Sequence, residues 1–380
     1  MSSFSSATKV FGVSLLAVPI TYGFNLGIQM FKLDYGIPVC LGVVLVLTAT
    51  CGLLVWITGG GSPLGPSRSK EQLWFYALAV FAFTSVASLT VGLELDGIIS
   101  GCSIQAWFHF PKSNVRCSYG LPIARWRNVK RPSRMFLLVS LRRLLRSGNF
   151  YDVALFWCGC SVNSTTVLLL GVATGKHGIT PGAMFYLVVA VMVPCFLYQL
   201  RHQRIVQTMT GPRKRLKHRK GDIMFLCYLC AASFIAIFRG LAVLGTNVGW
   251  ITRYVTFVEP YLLQRDPAPF AKMQMLVYLF HHLPLQFASA FALLVPGCHW
   301  MPDLSVFMAG AMLQGQVAHI GASFHPRTPY VMRVPPEPAS WVTFWAVNLL
   351  VALGPQFLAY RCQGDTDFFA LRSVGDRKLS

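Results

Sequence analysis

Gln274, Tyr278, His281 and His282 are the residues of this chain best equipped for chemistry. Their spacings of four, seven and eight place them on one stripe of a helix. Gln316, His319 and Ser323 repeat the pattern at i, i+3 and i+7. Imidazole takes or gives a proton near neutral pH. Amides and hydroxyls donate and accept hydrogen bonds. Two such stripes facing each other would line a polar pocket. The same groups would serve equally well as hydrogen bonds that hold neighbouring helices together. Arg239 lies six residues before the end of an apolar segment, roughly 9 Å from that end. Either it snorkels to the membrane surface, or it pairs with Glu259 on the same side. Glu259 before Pro260 and Asp266 before Pro267 also fit ordinary turns.

The elements that must position these residues are membrane helices. Mean hydropathy is +0.53, and only 13 of 380 residues are Asp or Glu. At least nine apolar stretches approach the roughly 20 residues a helix needs to cross a bilayer. They run at about 10–31, 36–58, 73–95, 152–174, 181–200, 222–245, 272–295, 303–324 and 340–360. Breakers such as Gly59-Gly60-Gly61-Ser62-Pro63, Pro181-Gly182, Pro296-Gly297 and Pro335-Pro336 separate them. In lipid every backbone polar group must be satisfied internally. The expected fold is therefore all-α, a polytopic membrane bundle of about nine to ten transmembrane helices. Buried polar groups are costly there, so the few present bear on function.

The net charge of +20 is concentrated. Ten Lys/Arg lie between Lys112 and Arg146, and eight between Arg201 and Lys220. Basic runs between apolar segments are cytoplasmic loops under the positive-inside rule, so no nucleic acid is expected as a partner. Counted from these loops, residues 246–271 and 325–339 fall in the lumen or outside. With nine spans the N-terminus is lumenal and the tail from 363 to 380 cytoplasmic. His325, Arg327 and Arg333 read as interfacial anchors. No metal or cofactor site is expected. His281 and His282 are adjacent, His319 and His325 are six apart, and Cys227-x-x-Cys230 lacks a second ligand pair. No phosphate-cradling glycine loop and no Ser-His-acid set is found. The sequon Asn163-Ser164-Thr165 falls inside an apolar segment, where it is expected to go unused. Residues 97–149 hold no acid and no clean apolar run, which fits an interfacial basic helix or the loss of a membrane segment.

Pro194-Cys195-Phe196-Leu197 and Pro355-Gln356-Phe357-Leu358 close comparable segments, which hints at two four-helix halves near 73–200 and 222–360. Several longer runs go further. They include Glu259-Pro260-Tyr261-Leu262, Lys272-Met273-Gln274-Met275-Leu276, Pro296-Gly297-Cys298-His299-Trp300-Met301-Pro302-Asp303 and His319-Ile320-Gly321-Ala322-Ser323. With Phe238-Arg239-Gly240-Leu241, Leu358-Ala359-Tyr360-Arg361-Cys362 and Phe81-Ala82-Phe83-Thr84-Ser85-Val86, the chain resembles the transmembrane 6 superfamily over most of 8–96 and 150–369. The second of that family's two branches fits better than the first.

The resemblance implies a helix pair over 1–60 and two tandem EXPERA repeats, the fold of emopamil-binding protein and the sigma-2 receptor. They would occupy 73–200, disrupted at 97–149, and 217–362. It implies a membrane of the endoplasmic reticulum and the ER–Golgi intermediate compartment, or the lysosome for the other branch. It further implies binding of membrane lipid or sterol, lipoprotein-assembly proteins as further partners, and support of triglyceride-rich lipoprotein secretion and lipid-droplet balance. The lipid-binding residues expected are Arg239, Glu259, Gln274, Tyr278, His281, His282, Gln316, His319 and Ser323. A sterol Δ8–Δ7 isomerase needs an acid/base pair. Two acid positions of such relatives are occupied here by Tyr278 and Arg239, so only Glu259, with His281 or His319, is left for catalysis. A lipid transporter or scramblase is a third reading. The family's first-repeat Glu-Pro-Tyr-Leu loop is missing from 97–149, which suggests altered splicing or a shifted reading frame there.

Overall fold

The computed structural model describes residues 12–13, 15–20, 22–23, 37–57, 83, 151–174, 193, 208–209, 216–263, 269–325, 328–364 and 366–372. The segments expected at 73–95 and 181–200, the stretch 97–149, Asp266 and Arg327 lie wholly or almost wholly outside them. The chain divides into two compact units, Met1–Ala154 with His177–Val188, and Leu155–Lys176 with Val189–Ser380.

In the first unit, α1 spans Ile37–Ile57, matching the apolar run expected at 36–58. Thr48 and Thr50 turn their hydroxyls back onto the carbonyls of Val44 and Val46, at 2.8 and 2.7 Å. A polar side chain is thereby satisfied inside an apolar helix. Ala17 and Phe83 are buried beside Ile20 and Val46.

The second unit holds the polar stripes. Its helices are α2 (Tyr151–Thr174, from Leu155 onward), α3 (Lys220–Leu244), α4 (Gly249–Phe257), α5 (Phe270–Leu294), α6 (Met301–Phe324) and α7 (Pro338–Gly364). Among the described residues four helices are long and apolar enough to cross a membrane: α2, α3, α5 and α7. At 24 residues α6 is also long enough, but it carries Gln314, Gln316 and His319 and is less apolar. It is a central element, with 16 of its residues buried. Around it, large apolar side chains such as Phe234, Phe287, Phe291 and Phe357 point outward, each more than half exposed. That is the surface expected of a bundle solvated by lipid tails.

Small residues set the closest approach. A Cβ on Gly159 of α2 would collide with the Phe307 carbonyl of α6, and one on Gly310 with the Phe156 carbonyl. The two backbones therefore touch, and the Cys160 thiol reaches the Gly310 carbonyl at 3.0 Å. Small residues allow this kind of close helix crossing in membranes. α2, read from the sequence as part of the first repeat, thus packs on α6 of the second.

Two features depart from plain helices. α3 ends at Gly245, whose φ of 87° is accessible at low cost only to glycine. The chain then folds back. Ile251 and Val255 of α4 bury against Ala242 and Met275, and the Trp250 ring stacks on Phe238 at 5.0 Å. In α5, Tyr278–His282 form one π-helical turn ahead of Pro284. Proline has no N–H to donate and its ring crowds the carbonyl four residues back. A wider turn relieves both.

At the far end Asp222 of α3 pairs with Arg219 and with Arg361 of α7, the latter at 3.0 Å. Arg219 also lies 3.8 Å over the Phe368 ring. Phe368 and Phe369 are buried in the core formed by α3, α5, α6 and α7. A cytoplasmic tail is expected from 363 to 380. Instead α7 continues to Gly364, and the residues beyond dock on the bundle. Leu371–Arg372 (β2) make a two-residue parallel pair with Thr208–Met209 (β1). Those are the strand residues among the described ones.

Candidate functional site

The polar residues of the second unit fall into three layers along the bundle. The first lies about five residues, roughly 8 Å, inside the ends of α3 and α6. Arg239 Nε donates to Glu259 Oε2 at 2.9 Å, and Arg239 Nη2 donates to Glu259 Oε1. The pair is bidentate, with Arg239 1% and Glu259 0% exposed. Arg239 therefore pairs rather than snorkels. Asn348 of α7 closes the group. It accepts from Arg239 Nη2 at 3.0 Å and donates to Glu259 Oε1 at 2.8 Å. Its second amide proton goes to the Phe344 carbonyl at 2.8 Å. His319 Nε2 lies 3.5 Å from Glu259 Oε1.

Glu259 reaches this position because α4 unwinds at Val258 and Pro260 opens a 3-10 turn. The connection carries its carboxylate down to Arg239 instead of leaving it in water. Burial pushes the Glu259 carboxyl up, but the Arg239 charge and the His319 contact outweigh it. The net effect holds it well below the usual carboxylate range.

The second layer is Gln274, Tyr278 and Gln316, all buried. The Tyr278 hydroxyl donates to the Met312 carbonyl at 3.1 Å. Neither amide atom of Gln274 has a hydrogen-bond partner among the described residues, whereas the Gln316 amide stands beside the Tyr278 hydroxyl. Gly315 makes the layer fit, since a Cβ there would come within 2.8 Å of Tyr278 Oη and 2.9 Å of Gln274 Nε2.

The third layer is deeper. His282 Nε2 lies 2.9 Å from Asn163 Oδ1, and Asn163 Nδ2 donates to Gln314 Oε1. An amide oxygen only accepts, so the His282 proton is assigned to Nε2. Ser233 donates to Gln286 Oε1 at 3.0 Å.

The nine residues read from the sequence are thus distributed unevenly. Arg239, Glu259 and His319 come together, as do Gln274, Tyr278 and Gln316. His282 belongs to the third layer. His281 is displaced by the π turn, half-buried and edge-on to Phe307 at 6.3 Å. Ser323 turns its hydroxyl onto the His319 carbonyl at 2.9 Å and adds nothing to the layers. Asn348 and Asn163 are the functional candidates that the sequence reading missed. Their signal was an amide inside an apolar span. Asn163 is fully buried, which leaves its sequon no access to a glycan.

The family described as "Transmembrane 6 superfamily member 2-like, transmembrane domain" matches residues 16–211, just over half of the chain. The chain belongs to this family. The matched stretch runs through residues 97–149. Transmembrane 6 superfamily member 2 of Rattus norvegicus is 33% identical over 377 residues, covering 96% of this chain and 94% of that protein. The proteins of the same name from Homo sapiens and Mus musculus are 33% and 32% identical over 373 residues, with the same coverage. No solved structure matches the chain. The protein is a multi-pass membrane protein of the transmembrane 6 superfamily, and its polar layers lie inside the helix bundle.

Proposed function

We propose that this protein is a non-enzymatic lipid-handling protein of the endoplasmic reticulum and the ER–Golgi intermediate compartment. It binds sterol or another lipid among α3, α5, α6 and α7. Through that binding it supports triglyceride-rich lipoprotein secretion and lipid-droplet balance, together with lipoprotein-assembly proteins. The observation that carries the reading is the enclosed layer of Gln274, Tyr278 and Gln316. The Gln274 amide there has no protein partner among the described residues, in surroundings where an unsatisfied polar group costs of the order of 2–7 kcal/mol. Membership of the transmembrane 6 superfamily supports the lipid setting.

A second reading is a sterol Δ8–Δ7 isomerase, favoured by the 3.5 Å approach of His319 to Glu259. Isomerisation needs a carboxyl group free to exchange a proton. Glu259 is instead held as a carboxylate by Arg239 and Asn348. The deciding experiment incubates purified protein in nanodiscs with a Δ8-sterol and follows the sterol profile. Saturable binding without turnover is expected. Turnover that disappears in Glu259→Gln would replace this reading with the enzymatic one.

A further inference from the structure

We propose that Cys227 and Cys230, on the outward face of α3, form a site of S-acylation at the cytoplasmic leaflet, with a long-chain acyl-CoA thioester as the donor. The inference stands independently of the lipid-binding reading above. Exposure, depth and charge carry it.

Cys158, Cys160, Cys298 and Cys362 are buried and Cys51 is half-buried, which leaves Cys227 and Cys230 as the exposed cysteines among the described residues. Ile223 precedes Cys227 on the same stripe at i−4, and Phe234, Ile237 and Leu241 continue it at i+7, i+10 and i+14, all of them exposed. From Cys227 to Leu241 the stripe runs roughly 21 Å, which seats a long acyl chain along the helix. Two thiols alone fall short of the ligands a structural zinc ion needs, and no third His, Cys, Asp or Glu joins them among the described residues.

α3 starts at Lys220, at the end of the basic run that marks the cytoplasmic side. Ile223 and Met224 are its first large apolar side chains to point outward. Cys227 lies roughly 6 Å beyond Ile223, and Cys230 roughly 10 Å beyond it. Cysteines just inside the membrane surface are where reversible S-palmitoylation takes place. Lys220 is exposed and stands seven residues before Cys227, above it on the same stripe. With the other basic residues between Arg201 and Lys220 it attracts the phosphates of the donor. In the transfer, the Cys227 or Cys230 thiol gives up its proton and its sulfur attacks the thioester carbonyl carbon. The new sulfur–carbon bond forms as the bond to the CoA sulfur breaks, and the departing thiolate takes up the proton. One thioester replaces another, so no oxidant or reductant is required.

The test uses the full-length protein in membranes of cells fed an alkyne-bearing palmitate. Label is read after click addition of a fluorophore, with and without neutral hydroxylamine, which cleaves thioesters and spares amides. Wild type should carry label that hydroxylamine removes. The double variant Cys227→Ser with Cys230→Ser should lose nearly all of it, and Cys227→Ser alone the larger share, since that thiol is nearer the surface. Both positions point away from the bundle, so the variants should melt at the wild-type temperature. Mass spectrometry of the wild-type protein provides a readout that needs no variant: the acyl group should map to the tryptic peptide 221–239. Absence of hydroxylamine-sensitive label on wild type would overturn the proposal. So would label that is undiminished in the double variant, or an acyl group mapped only to other cysteines.

Discussion

Arg239→Met strips Glu259 of its guanidinium partner while the carboxylate stays buried. Removing one member of a buried ion pair costs about 3–5 kcal/mol, so a large fall in thermal midpoint in detergent is expected for Arg239→Met. The double variant Arg239→Met with Glu259→Leu removes both charges and should recover much of the loss. If Arg239→Met unfolds at the wild-type temperature, the pair contributes nothing to stability. The pair also has a pH signature. The folded pKa of Glu259 lies below its unfolded value, so its contribution is complete above the ordinary Glu range of about 4.3. It is lost only as the pH falls below that range toward the depressed value. Stability from this source should therefore be level between neutrality and pH 5 and should decline below. At this scale the sequence was informative where a residue was chemically conspicuous. Arg239, Glu259 and His319 stood out as ionisable groups in or beside apolar spans. Asn348 and Asn163 did not. Each is a single amide whose partners lie 89 to 119 residues away, counting Glu259, Arg239 and His282. No local spacing encodes such a meeting.

α2 and α6 hold their register through two glycines. Gly159→Ala or Gly310→Ala puts a methyl group where a backbone carbonyl of the opposite helix already stands. Overpacking of this kind costs about 1–3 kcal/mol. It should also separate Asn163 from His282 and Gln314, since all three depend on the same crossing. Hydrogen–deuterium exchange over 155–171 and 301–324 checks this. Raised exchange in both helices is expected, and exchange equal to wild type would contradict the close crossing. The docked segment after α7 offers a second test. Phe369→Ala removes a buried ring from the core at that end and should cost roughly 3 kcal/mol. A variant truncated after Gly364 should lose at least as much. The long helices described in the second unit were legible, since apolar runs of spanning length admit little else. The expected 222–245, 272–295 and 303–324 became Lys220–Leu244, Phe270–Leu294 and Met301–Phe324. Two departures were not legible. The π turn at Tyr278–His282 keeps an apolar pattern and only changes which imidazole faces inward. The fold-back of α4 looked like a lumenal loop because nine residues are too few to read as a span.

For the whole molecule, composition settled the class. A chain with so few acids and mean hydropathy of +0.53 has to build helices that satisfy themselves in lipid. Membership of the transmembrane 6 superfamily agrees with that class. What composition could not supply is the interior of the bundle. Polar groups collect in layers around α6, and in the middle layer the Gln274 amide has no partner among the described residues. The central claim is that a lipid completes it. The most direct measurement is photo-crosslinking in native membranes with clickable, photoreactive analogues of cholesterol and dioleoylglycerol, followed by peptide mapping of the labelled full-length protein. Label should fall on residues 274–278 and 315–319 and be lost when excess unlabelled lipid is added. Label confined to outward-facing positions such as Phe234, Phe287 and Phe357, undiminished by competition, would contradict a lipid site inside the bundle.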